Sequence, residues 1–226
     1  MKIGVILSGN GVYDGSEIQE AVFTLLAIDE NNAEAICYAP DIEQHHVVNH
    51  ITGEEMNEKR NVLIESARIA RGNIKPLSEF TAEDVDALAI PGGFGAAKNL
   101  TKWAFSGPDG DILADVKRAI NEIVIANKPL AGMCMGPTVI AKALQGTGIK
   151  TELTVGTTEE TSPYDIKAIG EGMEKAGANA VMKTVSEIAV DEKNKIVTSP
   201  CYMMDASISQ VRKNIEETIK KLVKMI

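Results

Sequence analysis

The sequence predicts an α/β protein built on one doubly wound, mostly parallel sheet. Three observations carry that fold class. Ile3–Leu7, Asp86–Ile90 and Pro129–Met133 are apolar runs too short for helices, and each leads into a glycine-containing turn. Between such runs lie segments whose apolar residues recur at helical spacing. Near the end, Glu187–Asp191 and Lys195–Ser199 flank the polar Glu192-Lys193-Asn194, which reads as a β-hairpin. With 226 residues and 44% hydrophobic content the chain can fill one large core, so residues 1–226 are expected to form a single domain.

The first run, bounded by Ser8-Gly9-Asn10-Gly11, has the character of a central strand. Ser16 stands where it can cap a helix whose apolar row is Ile18, Val22, Leu25 and Leu26, with Glu17 and Glu20 on one face near its start. A second strand is expected over Ala33–Tyr38. The pattern then changes: Glu54–Arg71 is charged, carries a partial apolar stripe and reads as helical, so residues 42–75 are expected as a helical insertion. Asp86–Ile90 leads into Pro91-Gly92-Gly93-Phe94-Gly95, where glycines permit close backbone approach. Ile112–Ala126 carries another helical stripe. After the cysteine-bearing strand come a short strand at Glu152–Val155, a helix over Ile166–Ala176 and an amphipathic helix over Ala206–Ile226.

Composition narrows the function classes. A formal net charge of -9, without clustered Lys and Arg, argues against a nucleic-acid partner. Cys37, Cys134 and Cys201 are far apart and form no C-x-x-C pair, which fits neither a disulfide framework nor a structural zinc site and suggests a reducing compartment. The first residues resemble a buried strand more than a signal peptide, and no run approaches the roughly 18 apolar residues of a membrane span. The expectation is a cytoplasmic protein with no membrane contact.

The stretch Pro129-Leu130-Ala131-Gly132-Met133-Cys134-Met135-Gly136-Pro137-Thr138 reads as strand, sharp turn and helix start. Such a nucleophile elbow presents its central side chain at the sheet edge, with the next backbone N–H groups aimed the same way. The positive helix end is expected to favour the Cys134 thiolate, the reactive form. From this stretch alone, a reactive thiol and a small buried hydrophobe are both open readings. Gly9, Gly11 and Gly15 also suggest a dinucleotide turn, but their spacing is one residue off the fingerprint, and no acidic residue sits cleanly at the second strand end. Trp103 and Phe105 are expected near the mouth of the site.

Four pieces in order resemble the PfpI-like branch of the class I glutamine amidotransferase-like superfamily. They are Gly15–Val22, Pro91–Leu100, Ala131–Thr138 and Lys195–Pro200. The stretches Asn49–Gly53 and Arg60–Gly72 are similar to the ElbB group, which is tied by name to isoprenoid biosynthesis and associated with cofactor-free glyoxalase activity. The resemblance implies a flavodoxin-like fold, a homodimer and a small aldehyde substrate. It places Cys134 at the nucleophile and Glu20 at the carboxyl that hydrogen-bonds the sulfur, with Glu17 as the alternative because the Gly9–Gly15 loop is longer than usual. It also makes the backbone N–H groups of Gly93 and Met135 the oxyanion hole.

One departure stands out. Many active relatives place a histidine after the nucleophile, whereas here Met135 follows Cys134, and His45, His46 and His50 all precede it. His50 can serve in proton transfer only if the insertion folds back over the site; otherwise it is a solvated or helix-capping residue. The implied chemistry is addition of the thiolate to glyoxal, proton transfer between the two carbons and hydrolysis of the thioester to glycolate, an internal redox change that needs no cofactor or metal. Repair of glycated amines or thiols uses the same first step. A peroxide sensor or a partner-binding role linked to isoprenoid biosynthesis is the non-enzymatic alternative.

Overall fold

The computed structural model describes residues 1–226. In chain order the elements are β1 (Lys2–Ile6), α1 (Ile18–Glu30), β2 (Glu34–Ala39), α2 (Val62–Ile69), β3 (Ile74–Pro76), β4 (Ala87–Ile90), α3 (Trp103–Ser106), α4 (Ala114–Ile125), β5 (Leu130–Met133), α5 (Gly136–Leu144), β6 (Glu152–Leu153), α6 (Ile166–Lys175), β7 (Asn179–Ala180), β8 (Ala189–Asp191), β9 (Ile196–Ser199) and α7 (Ile208–Lys224). Seven strands form the main sheet in the order β3-β2-β1-β4-β5-β9-β8, parallel except for β8, which pairs antiparallel with β9 as the expected hairpin. Setting aside the three-residue edge strand β3, the order β2-β1-β4-β5-β9 is that of flavodoxin-like folds. β6 and β7 make a separate two-stranded sheet.

Central strands are apolar on both sides because helices flank the sheet. Ala87–Ile90 and Leu130–Met133 are buried throughout. α1 packs with α7 and α4 with α5, and 52 buried residues form one connected core. Ala21, Ala27 and Ile28 of α1 enter this core, and Glu20 and Thr24 are buried beside them. The expected inward row is therefore misassigned: Ile18, Val22 and Leu26 are exposed. Small side chains let α1 lie close to the sheet and α7, and that close approach turns Glu20 inward and the bulkier residues out. Its cap is also one residue later than expected, since Glu17 Oε2 accepts from the Glu20 N–H at 2.6 Å. Ser16 instead accepts from the Ser8 N–H through its hydroxyl at 2.9 Å.

The stretch expected as a helical insertion over 42–75 divides differently. Only Val62–Ile69 is helical, capped by the Asn61 side chain on the Ile64 N–H at 3.0 Å. With β3 it belongs to the main sheet and its helical layer. Residues 54–61 are not helical, because antiparallel bridges Val48↔Glu55 and Glu43↔Asn61 hold this charged segment extended against its own preceding chain. The resulting irregular segment lies over the loop after β1. Asp14 Oδ2 accepts from the Val48 N–H at 2.7 Å, and Asn99 Oδ1 accepts from the His45 N–H at 2.9 Å.

Asn99 stands in a π-helical turn, Ala96–Leu100, and is 2% exposed. Its amide also donates to Ser8 O at 2.9 Å and Asp14 O at 2.8 Å, so one side chain ties the β4 turn, the β1 loop and the irregular segment together. Replacing it leaves buried carbonyls without donors. Asn99→Ala is expected to lower the unfolding free energy by about 1–3 kcal/mol in urea titration, whereas Asn73→Ala, at an exposed position, should change it by less than about 0.5 kcal/mol.

Candidate active site

Four strand ends converge where the chain order reverses between β1 and β4, the place at which open α/β sheets form their crevice. The loop after β1 supplies Val12 and Glu17, the turn after β4 Gly93 and Phe94, the β5–α5 turn Cys134 and Met135, and the turn after β9 Tyr202 and Met203. α3 and α6 close the far side with Trp103 and Ile169. Together they line a cavity of about 240 Å³.

Cys134 sits at φ 55°, the left-handed region that costs a non-glycine residue roughly 1–3 kcal/mol. Its N–H donates to Ser199 O at 2.9 Å, continuing the β5–β9 ladder and fixing the turn. Pro137 then starts α5 with no missing helical bond. The strained cysteine between a buried strand and a helix start is the elbow geometry expected from sequence.

Glu20 is fully buried and aimed at the same point. Its Oε1 accepts from the Tyr202 N–H at 3.1 Å, while its buried Oε2 has no hydrogen-bond partner. A Cβ placed on Gly92 would stand 2.6 Å from both Cys134 Sγ and Glu20 Oε2, so thiol and carboxyl meet over a backbone that only glycine leaves open. The two groups lie close enough for each to alter the other's titration. Burial, and then the neighbouring Glu17, push the Glu20 carboxyl up to about 8, against the pull of the Tyr202 N–H. Burial, and then the Glu20 carboxylate, also push the Cys134 thiol well above its ordinary value; the Gly93 N–H acts the other way. This corrects the expected lowering of the thiol by the helix start: the sulfur is too dry, and too close to a carboxyl, for one helix end to decide its charge.

Neither the Gly93 nor the Met135 N–H donates to a backbone carbonyl. Both belong to residues lining the cavity, which leaves two donors for a developing oxyanion. Glu17 lines the cavity too, its carboxyl raised by burial while it caps α1. His50 is not brought to Cys134. Its Nε2 accepts from the Tyr13 N–H at 3.2 Å, its Nδ1 faces Val48 O at 3.0 Å, and its ring lies against Tyr13 with centroids 4.9 Å apart. His45 and His46 pack against Phe105, which is outside the cavity that Trp103 lines.

Sequence reasoning missed Tyr202 and Tyr164. Tyr202 supplies the N–H that orients Glu20, and Tyr164 is pushed up to about 12 by burial, then by Cys134, so it stays protonated beside the sulfur. No local sequence pattern marks either; Tyr202 follows Cys201, whose backbone after β9 adopts φ 47°.

No protein-family model matches the chain. The rat protein "ES1 protein homolog, mitochondrial" is 40% identical over 226 residues, covering 99% of this chain and 84% of its own length. The human "Glutamine amidotransferase-like class 1 domain-containing protein 3, mitochondrial" is 39% identical, covering 99% and 83% respectively. The chain belongs to the ES1 family of glutamine amidotransferase-like class 1 domain proteins. Among solved structures, an isoprenoid biosynthesis protein with amidotransferase-like domain from Ehrlichia chaffeensis superposes on this ES1-family chain with TM-score 0.89 at 34% identity over the whole of both chains. The glyoxalase III of Candida albicans shares the fold, with TM-score 0.61 at 16% identity over 98% and 97% of the two chains. The mitochondrial names of the rat and human ES1-family relatives overturn the cytoplasmic expectation. Unpaired cysteines and ordinary composition do not distinguish one reducing compartment from another. No helix is long and apolar enough to cross a membrane.

A raised Glu20 has a stability consequence. Its folded value of about 8 lies above the ordinary 4.5, so the folded state holds this proton more tightly, and the associated stability is full below pH 4.5 and lost as pH rises to about 8. Glu20→Gln cannot titrate. Urea unfolding should therefore show the variant gaining stability relative to the wild type by about 3–5 kcal/mol between pH 5 and pH 9.

Proposed function

We propose that this protein is a cofactor-free glyoxalase-type enzyme that converts small α-oxoaldehydes to hydroxy acids, glyoxal to glycolate first among them, through Cys134. The observation that carries the reading is the meeting of Cys134 Sγ and Glu20 Oε2 over Gly92. Beside it stand two N–H groups free of backbone acceptors.

The thiol and carboxyl titrate as a unit. With both protons in place the sulfur is a poor nucleophile; loss of the first proton, from Glu20, leaves a carboxylate that takes the thiol proton as the sulfur attacks. Attack on one aldehyde carbon forms the C–S bond, and the carbonyl oxygen becomes an oxyanion held by the Gly93 and Met135 N–H groups. Glu20 protonates that oxygen and, now a carboxylate, removes the hydrogen of the same carbon as a proton. Return of that proton to the second carbon, with the proton on the first oxygen passing to the second oxygen, makes the second carbonyl an alcohol and leaves a thioester on the first. Water cleaves the C–S bond, releasing glycolate and restoring the thiol. One carbon is oxidised and its neighbour reduced, so electrons balance within the substrate.

The E. chaffeensis relative's name ties that protein, and by extension this family, to isoprenoid biosynthesis; the aldehyde chemistry is our reading of this site. The homodimer implied by the family resemblance is part of the same proposal.

In amine-free buffer the wild type should consume glyoxal and release glycolate, and Cys134→Ser and Glu20→Gln should each lose about a hundredfold or more in kcat/KM. Inert wild-type protein would overturn the reading, and turnover that depends on added amine would favour repair of glycated amines instead. Because the reactive pair forms by losing a proton, wild-type kcat/KM should rise with pH through about 8, the value to which Glu20 is pushed.

A further inference from the structure

The walls above Cys134 carry information that the sulfur chemistry leaves unused. Eleven of the thirteen lining residues are hydrophobic, among them Phe94, Trp103, Tyr164, Ile169 and Met203, and none is Lys, Arg or His. Lys98 lies 5.3 Å over the Phe94 ring, but its ammonium is committed to Tyr13 O at 2.8 Å. The titratable carboxyl on the lining is Glu17, which disfavours an anion. The cavity measures about 240 Å³. By comparison, an apolar cavity of about 150 Å³ accommodates benzene. A shallower groove of about 300 Å³ continues outward past Val12, Glu17, Tyr164 and Tyr202 toward Gln19 and Asp205.

Glyoxal has no substituent to place against these walls. Once its carbonyls stand over the sulfur, most of the cavity is left empty or wet, and its apolar lining contributes nothing to holding the transition state. A lining of this kind distinguishes substrates by the apolar surface they bury and rejects charge that it cannot pair.

We infer that the substrate class of this site is an α-oxoaldehyde bearing an uncharged apolar substituent, aryl or branched alkyl, with glyoxal a minimal surrogate. The inference rests on the cysteine chemistry proposed above and adds which aldehydes it serves. The aldehyde carbon lies over Cys134 and the substituent fills the space between Trp103, Tyr164 and Ile169. The reaction balances as before: the sulfur adds to the aldehyde carbon, whose hydrogen moves as a proton to the ketone carbon. The first carbon is oxidised to the thioester and the second reduced to the alcohol, and water releases the 2-hydroxy acid.

The test compares initial-rate kcat/KM for glyoxal, phenylglyoxal and 4-carboxyphenylglyoxal, with the hydroxy-acid products quantified. Phenylglyoxal should exceed glyoxal by about tenfold or more, and the added carboxylate should reduce kcat/KM by about tenfold or more relative to phenylglyoxal. Filling the cavity with Ala97→Leu, or from the exposed helix α3 with Ala104→Leu should the first variant fold poorly, should lower the ratio of phenylglyoxal to glyoxal turnover by about tenfold. Glyoxal turnover equal to or faster than that of phenylglyoxal, or a charged analogue processed as well as the neutral one, would overturn the substrate class while leaving Cys134 in its role. Failure of the wild type on all three aldehydes would overturn the cysteine reading and this inference together.

Discussion

A single shared contact organises the site: a thiol and a carboxyl packed against each other over the Gly92 backbone, with little water to solvate either charge. Coulomb and desolvation terms both oppose placing two negative charges there, so the pair retains a proton that isolated side chains would lose. Everything else near the crevice serves to hold that arrangement. Tyr202 N–H fixes one carboxyl oxygen and leaves the other for the sulfur. The Ser199 carbonyl pins the strained cysteine backbone, and the β1 loop is clamped by Asn99 so that α1 begins where Glu20 can reach inward.

That arrangement follows from the sheet. Parallel strands deliver their C-terminal ends to one edge, and the reversal of order between β1 and β4 separates the neighbouring loops enough to open a crevice. The cysteine arrives from β5, the two-glycine turn from β4 and the acid from the helix after β1, three segments far apart in sequence that share no local code. Close packing of α1 is the costly requirement. Ala21, Thr24 and Ala27 face inward so that the helix can sit low on the sheet, and Ile18, Val22 and Leu26 are left facing solvent. A helix placed by its largest apolar residues would carry Glu20 away from the sulfur.

This explains which parts of the molecule were legible in the sequence. Strands, hairpin and elbow depend on local patterns: short apolar runs, a polar turn between two runs, a cysteine set between glycines. The facing of α1 depends on small residues making close contacts, which hydrophobic periodicity ranks low. The stretch 54–61 has helical composition, yet its backbone pairs with an earlier part of the chain, and tertiary pairing overrides propensity. Cys134 and Glu20 could be nominated from the residues they resemble, but their charge states could not, because the helix end visible in sequence competes with burial visible only in three dimensions. Tyr164 and Tyr202 lie in segments with no motif and enter the site through topology alone. The compartment was read from cysteine usage, which reports redox state and not address.

The most direct test of the account is the pH dependence of Cys134 alkylation by iodoacetamide, with the modified residue assigned by mass spectrometry, in wild type and Glu20→Gln. A shared proton predicts that the wild-type rate rises through an inflection near 8, the value set by burial and Glu17 at Glu20, and that the variant departs from this profile. Superimposable profiles in the two proteins would contradict it, since the sulfur would then titrate without reference to the carboxyl beside it.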